Sequence, residues 1–210
     1  MKSKMHFMQH PNSRQHTERI LKYSKIILAS GSPRRKDLMS EMGIDTEILV
    51  PAVDEKSVLD HNPKRLVIKE ALLKNREARL QYDCGENVVI SADTIVYRKK
   101  EYTKPRDLSQ AVEFLTELCG KWHSVYTGVV VYSDGKEYPF AVRSLVRLKN
   151  LEKAEIEDYV NTFRPLDKAG AYAIQENTVV KKWIGSYTNI MGLPTEKLSK
   201  VLKRIGIING

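Results

Sequence analysis

Cysteine is nearly absent from this sequence: its 210 residues include only Cys84 and Cys119. Two thiols cannot staple a secreted disulfide scaffold, and they are expected to stay reduced in a cytoplasmic protein. The five histidines (His6, His10, His16, His61 and His123) show no zinc-ligand spacing with them. No apolar run approaches the ~20 residues of a membrane span, so no membrane partner is expected. Aromatic residues are 8% of the chain and scattered, without a run suited to stacking single-stranded bases. There is no G-x-x-x-x-G-K-[ST] loop, no Gly-x-Ser-x-Gly elbow and no Cys–His nucleophile pair. What is present is ordinary globular composition, 41% hydrophobic and 29% charged. A chain this long buries roughly 70% of its unfolded surface and needs no disulfide or structural metal to hold its core.

Acid is also in short supply, with 26 Asp and Glu against 35 Lys and Arg, a net charge of +9. Such a balance invites a nucleic-acid reading. The excess, however, sits at the ends. Residues 1–25 hold six cations and one anion (Glu18), and residues 181–210 again hold six and one (Glu196). The stretch between them is nearly neutral, so no nucleic-acid partner is expected. Residues 1–24 show no apolar period and lack the apolar core of a secretory signal; they read as a flexible N-terminal extension. Residues 25–210 read as a single domain.

The pattern from Lys25 onward alternates strand and helix. Ile26-Ile27-Leu28-Ala29 is a short apolar run suited to a buried strand, broken by Ser30-Gly31-Ser32. Ser32 is placed to cap a helix that begins at Pro33 and stops at Gly43. A strand is predicted over 47–50. A helix follows over 63–80 with Leu66, Leu72 and Leu73 facing inward, and then a strand over 88–90 that continues past Asp93 to Tyr97. A helix over 108–118 precedes two strands, 125–132 and 140–148, joined by the turn Ser133-Asp134-Gly135. A helix over 152–160, a strand over 179–184 and a helix over 195–205 capped by Thr195 complete the chain. Gly185 to Pro194 reads as a long loop. The fold class is α/β, with a mixed, twisted central sheet flanked by helices.

Two segments carry candidate chemistry. In Ser30-Gly31-Ser32-Pro33-Arg34-Arg35-Lys36, three cations stand in the first turn of a helix, where they oppose its dipole unless an anion binds. Arginine forks match phosphate oxygens, which makes a phosphate the natural anion. In Ile90-Ser91-Ala92-Asp93-Thr94, a carboxylate interrupts a hydrophobic strand. Such an aspartate serves as a general base toward water, as a Mg²⁺ ligand, or as an Asx-turn cap. Val53-Asp54-Glu55 is a second acidic pair after a strand, and Lys74 and Lys104 are solvated lysines on local sequence alone.

Taken in order, these segments resemble the Maf family of nucleotide pyrophosphatases over residues 26–206. The resemblance rests on Ile27 to Arg35, Val53-Asp54-Glu55, Ala71-Leu72-Leu73-Lys74, Ser91 to Val96, Lys104-Pro105, Gly120-Lys121, Val125 to Val129, Lys168 to Gln175 and Gly185 to Pro194. It implies a two-lobed, Maf/ITPase-like fold with a nucleotide in the cleft. It also implies hydrolysis of a nucleoside triphosphate to the monophosphate and pyrophosphate with a divalent cation, Mg²⁺ or Mn²⁺. Asp93 is then the base that activates water. Ser30, Arg34, Arg35, Lys74 and Lys104 hold the triphosphate, and Glu55 with Asp93 holds the metal. Arg34, Thr94 and Gln175 stand at the positions that set base choice. Their combination is similar to the dTTP/UTP subgroup, since the 7-methyl-GTP subgroup carries an aromatic residue where Arg34 stands. A homodimer is implied by the same analogy. The family's association with septum formation offers a second reading, a nucleotide-binding regulator of cell division with little catalysis. The sequence departs from the pattern in three places. The N-terminal extension is additional, Tyr102-Thr103 precedes Lys104 where Leu-Gly is usual, and Glu176-Asn177 replaces a glycine-containing segment after Gln175.

Overall fold

The computed structural model describes residues 25–54, 57–82 and 87–209. The extension read over 1–24, together with Glu55 and Cys84, lies outside them. The elements are β1 (Ile26–Ala29), α1 (Pro33–Glu41), β2 (Glu47–Leu49), α2 (Pro63–Gln81), β3 (Val88–Arg98), β4 (Lys100–Tyr102), α3 (Leu108–Leu118), β5 (Trp122–Ser133), β6 (Lys136–Leu148), α4 (Lys153–Phe163), β7 (Val180–Ile184), α5 (Tyr187–Met191) and α6 (Thr195–Arg204). Among the described residues they build one mixed sheet in the order β2-β1-β3-β5-β6-β7, with β4 beside β3. β1 runs parallel to β2 and β3, and the other pairings are antiparallel. The fold class read from the sequence is the one observed.

The outer side of β3 changes neighbour along its length. β1 pairs with it as far as Ser91, and β4 takes over only at Val96. Residues 92–95 lie between, at the carboxyl end of β1, where open α/β sheets collect ligands. On the inner side β5 pairs without interruption from Val89 to Tyr97. β5 and β6 are joined through Asp134 and Gly135 at φ 50° and 75°. Two consecutive left-handed residues match the twist of a two-residue hairpin, for which an Asp-Gly pair is well suited.

Alternation along β3 sends its side chains to two faces. Val88, Ile90 and Ala92 pack with α1 and α6 through Leu38, Met39, Leu198 and Leu202. Val96, on the same face but further along, packs with α3 and α4 through Leu115, Leu118, Ile156 and Val160. The other face carries α2, with Val89 against Ala78 and Ile95 against Leu66 and Val67. Two hydrophobic clusters at the two ends of one strand give the molecule its lobes, with Asp93 and Thr94 between them.

α2 differs from its sequence reading. Leu72 and Leu73 are half-buried, Leu80 is 78% exposed, and the buried stripe is Leu66, Val67, Glu70, Ala71, Asn75 and Ala78. The small residues are there because the helix lies very close to the sheet. A Cβ on Gly128 of β5 would come within 2.2 Å of the Val67 carbonyl oxygen. Two side chains pin α2 at that distance: Ser91 Oγ donates to the Ala71 carbonyl (2.7 Å), and Asn75 Nδ2 donates to the Val89 carbonyl (3.0 Å). Near the C-terminus, the segment read as a long loop contains α5, whose N-cap Ser186 accepts from the Asn189 N–H. Thr195 is the first residue of α6 and not its cap, and its N–H is donated to Thr188 Oγ1.

Because Gly128 meets backbone atoms that cannot rotate away, Gly128→Ala is expected to destabilise the fold by about 3 kcal/mol. Urea unfolding monitored by circular dichroism measures it; a loss under about 0.5 kcal/mol would show that α2 does not depend on this contact.

Candidate active site

The turn after β1 supplies the first part of the site. Ser30 Oγ accepts the Ser32 N–H, which tightens the turn so that α1 starts beside the open stretch of β3. The cations at the start of α1 are met by oxygens. The Arg35 guanidinium donates Nη1 to Ser30 Oγ (3.0 Å), Nη2 to Thr94 Oγ1 (3.1 Å) and Nε to the Gly192 carbonyl (2.8 Å). One planar fork thus holds together the β1 turn, β3 and the end of α5. Gly192 takes φ 114°, a conformation that favours glycine. Thr94 is further tied to Thr127 Oγ1, and Thr127 donates to the Asn189 carbonyl. Arg34 points across the cleft and pairs with Asp167 at 3.0 Å.

Asp93 leaves β3 on the opposite face, toward α2. It is 8% exposed and bonded to the Lys74 ammonium. Burial alone would raise its pKa, but the charges of Lys74 and Arg35 outweigh this and hold it below the usual carboxylate value. Four residues before Lys74, on the same helix face, stands Glu70. Burial, and then the neighbouring Asp93 charge, push its pKa up to about 9. The two carboxyls are close enough to share a hydrogen bond. Glu70 Oε2 is buried with no hydrogen-bond partner. Thus, of two adjacent acids, Asp93 is kept ionised and Glu70 carries a proton near neutral pH.

These groups line one cleft of about 720 Å³. Ser30, Arg34, Arg35, Lys74, Asp93, Thr94, Lys104 and Gln175, the sequence-predicted residues within the described range, all border it. Lys104 and Gln175 stand exposed at its rim. Glu55 lies outside the described residues. The cleft also contains Glu70, Glu101, Asp167 and Lys168, which the sequence reading did not select. Only Glu70 carries a local signal, its i,i+4 spacing from Lys74. Lys168 bridges Asp167 (2.7 Å) and Glu176 (3.8 Å) beneath the strap that carries Gln175. Among the described residues no three His, Cys, Asp or Glu side chains gather into a ready metal cage.

Both departures near the cleft have structural reasons. Tyr102 is buried in the α3–α4 lobe, edge-on to Phe114, and donates to Glu117 (2.6 Å). Asn177 takes φ 51°, so it supplies the left-handed turn otherwise asked of a glycine. Glu176 accepts the Tyr159 hydroxyl and anchors that turn to α4.

The architecture is that of a mixed α/β protein whose cationic cleft ends on a buried carboxylate–ammonium pair. The chain belongs to the Maf family: the model of the Maf-like proteins matches residues 25–205. A protein of Thermosipho africanus named dTTP/UTP pyrophosphatase is 41% identical over 188 residues, covering 88% of this chain and 95% of that one. Proteins of the same name from Aquifex aeolicus and Bacillus anthracis are each 39% identical, covering 89% and 87% of this chain and 98% and 96% of their own. No described helix is long and apolar enough to cross a membrane.

Arg35→Lys keeps the charge but not the fork, and is expected to cost about 2 kcal/mol of stability through its three lost contacts. Chemical denaturation of both proteins at the same pH reads this directly. Equal midpoints would mean that Arg35 does not brace the cleft.

Proposed function

We propose that this protein hydrolyses dTTP and UTP to the monophosphate and pyrophosphate. The observation that carries the reading is Asp93, a buried carboxylate held ionised by Lys74 and Arg35 at the floor of a cleft lined with cations. Asp93 takes a proton from a water molecule, whose oxygen bonds to the α-phosphorus as the bond to the bridging oxygen breaks and pyrophosphate leaves. Ser30, Arg34, Arg35, Lys74 and Lys104 bind the triphosphate oxygens. The phosphates compete with Asp167 for Arg34. The base is read by Arg34, Gln175 and, through the position it gives Arg35, Thr94. The Gln175 amide both donates and accepts, which suits a pyrimidine edge.

The donor set fits a divalent cation. Asp93 is a hard anionic oxygen ligand, and its neighbour Glu70, with Oε2 buried and unpartnered, borders the same cleft. Asp93 and Glu55 hold Mg²⁺ or Mn²⁺ in this reading, and the ion, when bound, neutralises charge on the phosphate oxygens. Reduced cysteine usage supports a cytoplasmic location, and the family resemblance supports a homodimer. The alternative of a nucleotide-binding regulator is not favoured, because each relative cited is named as an enzyme.

A panel of nucleoside triphosphates with Mg²⁺ or Mn²⁺, with products resolved, tests the reaction. Pyrophosphate from dTTP and UTP is expected; orthophosphate, or tight binding without turnover of any triphosphate, would refute it. Asp93→Asn should lower turnover by about 10³-fold while nucleotide binding and fold survive. With its pKa held below that of an ordinary aspartate by the Lys74 and Arg35 charges, Asp93 is ionised throughout the range from pH 8 to pH 5, so wild-type turnover should not lose its base there. If Asp93→Asn keeps most of its turnover, another group is the base.

Gln175→Ala should raise KM for dTTP by about tenfold with little change in kcat, since the amide binds the base and does not touch the reacting phosphorus. Steady-state kinetics on dTTP and UTP decide it, an unchanged KM placing base recognition elsewhere.

A further inference from the structure

Glu70 is a carboxylate to which the proposed reaction assigns no role of its own. It is 7% exposed, borders the cleft, and has one buried oxygen with no hydrogen-bond donor. Leaving a buried acceptor unsatisfied is costly, and an acceptor that also borders a cleft can be satisfied by an ion that enters it. Its placement is imposed by the fold. α2 is pressed onto β5 at Gly128 and fastened to β3 through Ser91 and Asn75. Those two fastenings, at Ala71 within the Glu70–Lys74 turn and at Asn75 directly after it, bring Glu70 against Asp93 from the facing element. A carboxylate set against a second carboxylate is unfavourable unless a proton or a cation lies between them. In the ligand-free protein, the Lys74 ammonium bonded to Asp93 supplies part of that compensation.

We propose that Glu70 is a ligand of the divalent cation. Its unpartnered oxygen and the Asp93 carboxylate form the described part of the protein's share of the coordination shell. This rests on the metal-dependent reading above and deepens it by naming a residue on α2. Small divalent cations of this kind take one or two protein carboxylates and complete their shell with water and substrate phosphates. Asp93 and Glu70 are the two carboxylates of that shell among the described residues, where no third acidic or histidine side chain gathers with them, and Glu55→Gln below tests whether Glu55 is needed besides. Lys74 stands one helical turn from Glu70 and borders the same cleft, so its ammonium, which holds Asp93 in the ligand-free protein, would find phosphate oxygens as partners there.

The test is Mn²⁺ binding without turnover. Free Mn²⁺ is titrated by electron paramagnetic resonance in the presence of α,β-methylene-dTTP, whose α–β linkage is not cleaved. Wild type, Glu70→Gln, Glu70→Met and Glu55→Gln are compared, and each fold is checked by thermal unfolding. Glu70→Gln and Glu70→Met are expected to weaken Mn²⁺ binding at least about tenfold, with binding of the analogue in metal-free buffer unchanged. If both folded Glu70 variants bind Mn²⁺ as tightly as wild type while Glu55→Gln does not, Glu70 is no ligand and the metal reading stands without it. If wild type with the analogue binds no Mn²⁺, the metal reading fails, and Glu70 as a ligand fails with it.

Discussion

The site depends on four residues of β3 that lack an outer neighbour. From residue 92 to residue 95 the strand has left β1 and not yet met β4, while β5 holds it straight from the inner side. A strand edge exposed in this way normally invites pairing with another chain. Here it is short, and it opens on side chains that converge from both faces of the sheet. Thr94 leads to Arg35 on one face and Asp93 to Lys74 on the other. Neither face alone would assemble the site. The gap lets a helix start from β1 and a helix lying across the sheet contribute to the same cleft.

Burying Asp93 demands compensation, because an isolated carboxylate in the interior loses far more solvation than any single contact restores. The protein meets the demand with two cations from different elements, and this makes the pair dependent on the packing. Lys74 reaches Asp93 only because α2 sits close enough, and α2 sits close enough only because Gly128 has no side chain. Asp93 and Gly128 are register partners across β3 and β5. The residue that gives the site its charge and the residue that makes room for its counter-charge therefore stand opposite one another. An ordinary packing constraint is in this way converted into an electrostatic one.

The sequence made the scaffold legible where the signal was local. The run Ile26 to Ala29, the Ser32-Pro33 helix start and the Asp134-Gly135 hairpin each follow from residues adjacent in the chain. The anion-seeking character of Arg34 and Arg35 was legible as misplaced charge. What was not legible came from distant pairing. Nothing near Arg34 in sequence announces Asp167, and nothing near Leu72 and Leu73 says that Val67, Ala71 and Asn75 face the sheet in their place. That choice is made by the closeness of β5, which only tertiary packing sets. Glu70 lies between the two cases: its spacing from Lys74 was visible, but its burial against Asp93 was not.

The net charge illustrates the same separation of local from global. An excess of +9 describes the whole chain, yet the cleft is shaped by a near balance of signs. Arg34 is set against Asp167, Lys168 against Asp167 and Glu176, and Lys74 against Asp93. A cleft of unopposed cations would repel itself and bind any polyanion. One in which Arg34, Arg35, Lys74 and Lys168 already have a carboxylate or a neutral oxygen is stable when empty, and it selects for a ligand that replaces several of those partners at once. A triphosphate offers several anionic oxygens to those cations at once, and with the divalent cation proposed above it would bring a counter-charge for the carboxylates as well. A single phosphate or a nucleic-acid backbone offers only half of that exchange. On this argument the carboxylates in the cleft discriminate between anions as much as the arginines and lysines do.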